Sequence, residues 1–160
     1  MRRVVTIGVY GFSPASFLDA LERAGVGLLV DVRQRRGVRG SEYAWANSKR
    51  LQAALADAGV SYAHRIELAP TTELRRLQYR EDDRLGVGKR SRVELALEYR
   101  RRYLEEILDP ADLDDVVESM PPDAPTALLC VERDPEACHR SLIAERLRDD
   151  YGCRVTHLRP

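Results

Sequence analysis

A chain of 160 residues that is 44% hydrophobic and 32% charged holds enough apolar content for one core, so a single globular domain over residues 1–160 is expected. Its 26 basic and 26 acidic side chains cancel, which excludes a global field drawing nucleic acid or an anionic membrane to the whole surface. No apolar run reaches the roughly 20 residues that cross a bilayer, and three cysteines spaced 8 and 15 apart give neither a disulfide framework nor a Cys-x-x-Cys zinc pair.

In chain order, Met1-Arg2-Arg3 leads into a β-branched strand from Val4 to Val9 rather than into a signal-peptide core. Ser13-Pro14 then caps and opens a helix to about Ala24. Leu28 to Val32 is continuously apolar apart from Asp31, the pattern of a parallel strand covered on both faces. Ala44 to Ala58 carries Leu51, Ala54, Leu55 and Ala58 at helical spacing and stops at Gly59. Ser61 to Leu68 reads as a third strand. From Ala69 to Arg90 the pattern dissolves into charged and turn residues, including Gly88-Lys89-Arg90, and predicts a long binding loop or lid. Helices over about 92–107 and 110–119 follow, before Met120-Pro121-Pro122 breaks the chain. Thr126 to Val131 is the fourth strand, Pro135 to Tyr151 the last helix and Arg154 to Leu158 the fifth strand.

This order predicts an α/β fold: one Rossmann-like domain with an open, mainly parallel five-stranded sheet and helices on both faces. The carboxyl ends of all strands then share one edge, where such sheets bind ligands. Tyr10, Arg33, Glu67 and the segment Glu132 to His139 become neighbours there. Charge is segregated along the chain as well. Arg33, Arg35, Arg36 and Arg39 crowd one loop, whereas residues 105–123 hold eight acids and no base.

The segment from Leu128 to Arg140 concentrates the chemistry. An apolar strand runs into a charged turn, and Asp134-Pro135 supplies a helix start. Cys138, His139 and Arg140 fall at the positive end of that helix, where a thiol pKa drops and anions are favoured. Arg133 and Arg140 have the planar donor fork that clamps phosphate or carboxylate. Cys130, ending an apolar strand, reads as a small buried hydrophobe. A cysteine phosphate-binding loop fits poorly, because six residues after Cys130 stands Glu136 where an arginine is needed. His139 suits general acid–base work or packing; His64 and His157 lie within strands and read as structural. No local spacing announces a metal site, and neither metal nor cofactor is expected.

Asp31 and Arg33 flank Val32, so they share one sheet face. A carboxylate in an apolar strand requires partners, and Arg33 can serve as one in a structural or a catalytic pair. The basic loop after it, with Gly37 and Gly40, adds positive charge to the same edge. Tyr43 and Trp45 can stack on a base or simply pack.

Thr6-Ile7-Gly8, Leu29-Val30-Asp31-Val32-Arg33 and Cys130-Val131-Glu132-Arg133-Asp134-Pro135 with Cys138-His139-Arg140 resemble the signature blocks of the domain-of-unknown-function 488 family. The resemblance spans nearly the whole chain and implies a small Rossmann-like α/β domain of unassigned activity. This chain departs from the common pattern with Val9-Tyr10-Gly11 after strand one, where many members carry a histidine and a serine. It departs again with Gln34-Arg35-Arg36-Gly37 after strand two and with Ala69-Pro70-Thr71-Thr72 after strand three. Its ligand is expected to differ accordingly.

The residues together point to an enzyme acting on a phosphorylated or nucleotide-like substrate, free or within a nucleic acid, with cleavage or transfer of a glycosidic or phosphoester bond. Asp31, Glu132, His139 and Cys138 are the candidate catalytic groups; Tyr10, Arg33, Glu67, Arg133 and Arg140 are the candidate binding groups. Two other classes fit the same residues: a transferase or redox enzyme using Cys138 or Cys130, and a non-catalytic nucleotide or nucleic-acid binding module. A cytoplasmic protein without a membrane partner is expected.

Overall fold

The computed structural model describes residues 1–160. Five strands form one sheet, β1 (Arg3–Ile7), β2 (Leu28–Asp31), β3 (Ser61–His64), β4 (Thr126–Leu129) and β5 (Arg154–His157), in the spatial order β3-β2-β4-β1-β5. Every pairing is parallel, with Val4 opposite Thr126 and Val155, and Leu28 opposite Ser61 and Thr126. Six helices connect them: α1 (Pro14–Ala24), α2 (Ser48–Asp57), α3 (Thr72–Leu85), α4 (Leu97–Tyr103), α5 (Leu113–Ser119) and α6 (Arg140–Tyr151). None is long and apolar enough to cross a membrane.

The central strands are buried on both faces because their side chains alternate between two cores. Val5, Ile7, Leu29, Ala127 and Leu129 point to one side, where Phe17 and Leu21 of α1 and Leu51 and Leu55 of α2 meet them. Val4, Leu28, Val30 and Leu128 point to the other, against Leu74, Tyr99, Tyr103, Val116, Ile143 and Leu147 from α3 to α6. The outer strands β3 and β5 are only partly covered, which is why they read less apolar.

The strand order fixes the position of the site. The connection from β2 leaves toward β3, while that from β4 leaves over β1 toward β5. The two loops therefore part above the seam between β2 and β4, and a crevice opens at their carboxyl ends. The first loop approaches it closely as well, since the amides of Val9 and Tyr10 both donate to the Val131 carbonyl at 3.0 Å.

Several elements differ from the sequence expectation. The segment 69–90 is not a loop throughout: α3 occupies most of it, started by the Thr71 hydroxyl accepting from the Leu74 amide at 3.2 Å and ended by Gly86 at φ 72°. Its inner face carries Leu74, Gln78 and Asp82. Two of the three are polar, so no apolar stripe marks it. The last helix does not run from Pro135. A single 3-10 turn, Pro135–Ala137, is followed by Cys138 in extended conformation (φ −141°, ψ 147°), and α6 begins only at Arg140. The segment 44–58 divides into a 3-10 turn (Ser41–Ala46) and α2, and the strand expected over 61–68 ends at His64 before another 3-10 turn. The helix expected at 92 starts at Leu97 and continues past Tyr103 through a π-helical turn (Leu104–Leu108). The helix expected at 110 starts at Leu113, capped by Asp112.

Candidate functional site

Above the seam lies a cavity of about 720 Å³. Its floor is the end of β4 and the break before α6: Cys130, Glu132, Cys138 and His139. Arg35 and Arg39 from the loop after β2 form one side. Arg75 and Tyr79 of α3 and Lys89, Arg90 and Arg92 beyond it also line the cavity and meet that loop, Arg75 donating to Gln34 Oε1 at 2.8 Å and Arg90 to the Arg39 carbonyl at 3.2 Å, and Tyr10 completes the rim. Seven of the lining residues are lysine or arginine, Arg33 being the seventh, and Glu132 is the one acid. Arg33, Arg90 and Arg92 are matched by Asp31, Glu42 and Asp82 behind the lining, so the unmatched guanidiniums there are those of Arg35, Arg39 and Arg75.

Glu132 is 7% exposed and held from above. Its Oε1 accepts from Arg92 at 3.4 Å and lies 3.9 Å from Lys89 Nζ, while Oε2 accepts from the Cys130 thiol at 3.4 Å. Arg92 is fixed in turn by Asp82, with a contact of 2.9 Å, and by the Ala137 carbonyl at 3.0 Å. Asp82 is itself held by Gln78, 2.9 Å away on the same face of α3. Burial, the largest single effect, opposes the charge on Lys89, but Glu132 together with Tyr79, Cys130 and Tyr10 raises the lysine pKa on balance.

His139 is oriented by backbone. Its Nε2 donates to the Val32 carbonyl at 2.8 Å, across the β2–β4 seam. A carbonyl can only accept, so Nε2 carries the proton and Nδ1 faces the two sulfurs, Cys138 Sγ at 3.6 Å and Cys130 Sγ at 3.7 Å. The extended backbone at Cys138 is what swings its thiol to Cys130; a helix running unbroken from Pro135 would carry it elsewhere. Burial works against a Cys138 thiolate, but the Cys130 thiol and the His139 ring overcome it and pull the Cys138 pKa well below the ordinary thiol range. Burial would lower His139, and Cys138 raises it instead. Cys130, for which burial dominates, is pushed well above its ordinary value. The shifts of Cys138 and His139 run in the direction of a thiolate–imidazolium pair, and that of Cys130 runs toward the protonated thiol.

The structure unites Tyr10, Glu132, Cys138 and His139 as the strand-end rule requires. Other candidates go elsewhere. Arg33 reaches the wall, but its guanidinium is spent on Asp31, at 2.8 Å and 2.9 Å, and on the Ala46 carbonyl at 2.9 Å. Asp31 is fully buried beneath it and also accepts from Tyr62 at 2.6 Å, so its oxygens do not reach the cavity. Arg140 is fully buried and grips the main chain, donating to the Glu132 carbonyl at 2.7 Å and the Arg133 carbonyl at 3.1 Å. It shapes the turn and offers nothing to a ligand. Arg133 is exposed beside Gly11, outside the cavity, and Glu67 is exposed with Arg65 3.4 Å away. Tyr43 and Trp45 pack on Tyr10 and Phe17.

Gln78 and Asp82, on a helix that reads as a loop, and Arg92, which Asp82 holds, are not anticipated by the sequence. The usable signal was the spacing of Gln78 and Asp82, four apart behind Leu74, which puts all three on one helix face. Nor did spacing suggest that Cys130, Cys138 and His139 would converge. Their ligating atoms nonetheless lie within 4.8 Å of one another.

No curated protein and no solved structure matches the chain. The family model described as "Domain of unknown function DUF488" matches residues 13–147, which include every side chain on the cavity floor, and the chain belongs to that family.

Proposed function

We propose that this chain is an enzyme that holds a phosphorylated or nucleotide-like substrate in the cavity, as a free nucleotide or as part of a nucleic acid. It cleaves or transfers a glycosidic or phosphoester bond there by acid–base catalysis. The observation that carries the reading is the excess of cations on the cavity wall around one buried carboxylate. Arg35, Arg39 and Arg75 line the cavity without a carboxylate partner, Arg75 being held only by the uncharged Gln34 and Tyr79 side chains, and such guanidiniums suit a phosphate. Tyr79 adds apolar surface beside that charge, with Arg75 5.7 Å over its ring, whereas Tyr10 is already covered by Tyr43 and Arg90.

Glu132 is the acid–base group at the floor. Arg92 fixes one oxygen, and the second, on the Cys130 side, takes a proton from the nucleophile or returns one to the leaving group. Lys89 adds positive charge where a leaving oxyanion develops. Turnover of nucleotides, nucleosides and short 5′-phosphorylated oligonucleotides by the wild type and by Glu132→Gln tests this. Loss of about 10²–10⁴-fold in kcat with substrate affinity retained is expected; unchanged turnover in Glu132→Gln removes the role.

The Cys138–His139 pair favours a second reading, a transferase in which the thiolate is the nucleophile. Rapid inactivation by iodoacetamide, with substrate protecting Cys138, would select it over acid–base chemistry at Glu132.

A further inference from the structure

We propose that Cys130, Cys138 and His139 form a binding site for one divalent thiolate-preferring metal ion, zinc above all, at the floor of the cavity. Three observations carry this independently of any organic substrate. The first is the spacing. A tetrahedral zinc with bonds of about 2.3 Å to sulfur and about 2.1 Å to nitrogen holds its sulfur and nitrogen ligands about 3.6 Å apart. The two sulfurs stand 3.6 Å and 3.7 Å from Nδ1, and all three ligand atoms fall within 4.8 Å of one another. Both sulfur–nitrogen separations are thus those the ion would impose.

The second is the outer sphere. A metal-binding histidine characteristically donates its other ring nitrogen to a carbonyl or carboxylate, which fixes tautomer and orientation. The Val32 carbonyl does this to Nε2 at 2.8 Å, and Nδ1 is left aimed between the thiols, where it ligates once the ion displaces any proton on it. The ring of Tyr103, centred 5.5 Å from that of His139, prevents it from turning away.

The third is charge. Metal binding deprotonates both thiols, and the two thiolates with Glu132 then place three negative charges in one buried corner. A divalent ion together with Lys89 balances them, Arg92 being already matched by Asp82. Cys130, Cys138 and His139 all line the cavity, so three protein ligands leave the fourth position of the ion open to it, beside Glu132. Three ligands with an open position is the pattern of a catalytic rather than a structural zinc. When bound, the ion would polarise water or a substrate oxygen there. Cys153, the remaining thiol, precedes β5 and has no part in the site.

Cobalt titration tests the proposal. The full-length protein is reduced, stripped with a chelator and titrated with Co²⁺ without substrate. One equivalent should produce a thiolate-to-cobalt charge-transfer band with the visible bands of tetrahedral Co²⁺, and one equivalent of Zn²⁺ should abolish both. Cys130→Ser and Cys138→Ser should each weaken binding by more than about 100-fold, beyond what loss of an outer-sphere partner causes, while Cys153→Ser should bind like the wild type. Absence of the charge-transfer band in reduced wild-type protein overturns the site and leaves Cys138 as a free nucleophile. The site is overturned equally if Cys130 and Cys138 are found joined as a disulfide that binds no metal once reduced, or if binding persists in Cys138→Ser or is lost in Cys153→Ser. Should either site variant fail to fold, the wild-type and Cys153→Ser spectra decide, because only Cys130 and Cys138 can then supply the thiolate. Metal binding without nucleotide binding would leave this site standing and the anionic-substrate reading fallen; the reverse pattern separates them the other way.

Discussion

Arg33 and Arg140 show how little a residue type says about its direction. Both are arginines at the ligand-binding edge, and both are buried and consumed by the protein itself. Removing Arg33 would strand Asp31 in a site without water, so Arg33→Met should cost about 3–5 kcal/mol of stability in chemical denaturation. A double change of Asp31 and Arg33 to Leu and Met should cost less than the single one, and equal losses would show that the pair is not the determinant. Arg35 and Arg39 should behave oppositely, because they are exposed and have no acidic partner. Their alanine variants should stay within about 0.5 kcal/mol of wild-type stability while weakening anion binding. Lys89 adds a pH test. Its folded pKa is raised, chiefly by Glu132 against the effect of burial. Its contribution is therefore fully present below the ordinary value of 10.5 and is lost only as pH climbs through the higher folded one. Melting temperatures of wild type and Lys89→Met should stay a constant distance apart from pH 7 to about pH 10 and approach each other only above it; convergence near neutrality would contradict the Glu132 contact. The placement of Glu132 and His139 at the cavity was legible from sequence because Glu132 lies three residues past β4 and His139 immediately precedes the helix that follows. The fates of Arg33 and Arg140 were not, since burial of a guanidinium depends on carbonyls and carboxylates brought in by the fold.

At the scale of elements, two short breaks create the site. The first is the turn after β1, where a Cβ on Gly8 would stand 1.9 Å from the Glu132 carbonyl oxygen. The clash is between backbone segments that continue two adjacent central strands, so neither can yield cheaply. Gly8→Ala should destabilise the protein by about 1–3 kcal/mol or more and displace Glu132, lowering activity in the fraction that folds; wild-type stability in this variant would show that the turns are looser than described. The second break is Cys138, extended between a 3-10 turn and α6. Sequence signals for a helix start, Asp134-Pro135, were present and real, but they opened a single turn. Helix α3 was missed for the complementary reason. Its buried face is built from Gln78 and Asp82, which hold Arg92 and the Ala96 amide, and hydrophobic periodicity cannot register a polar face.

Across the whole molecule, strand order does what no local motif could. Strands β2 and β4 are nearly a hundred residues apart in sequence yet adjacent in the sheet, with their following loops diverging. The α/β alternation predicted this edge, and the apolar run from Leu28 to Val32 predicted a strand covered on both faces, because both follow from patterns within the chain. The basic wall did not follow in full, since it is assembled from the loop after β2 and from the segment 75–92, which meet through contacts such as Arg75 with Gln34 that the sequence alone does not reveal. The central claim is that this wall receives an anionic, nucleotide-like ligand. Calorimetric titration with nucleoside 5′-monophosphates, the matching unphosphorylated nucleosides and a short 5′-phosphorylated oligonucleotide, at two salt concentrations, tests it most directly. The phosphorylated ligands should bind more tightly than the nucleosides, lose affinity as salt rises, and bind about 10-fold or more weakly to Arg35→Ala/Arg39→Ala. Failure of every phosphorylated ligand to bind, or affinity indifferent to phosphate, salt and both arginines, would contradict the account.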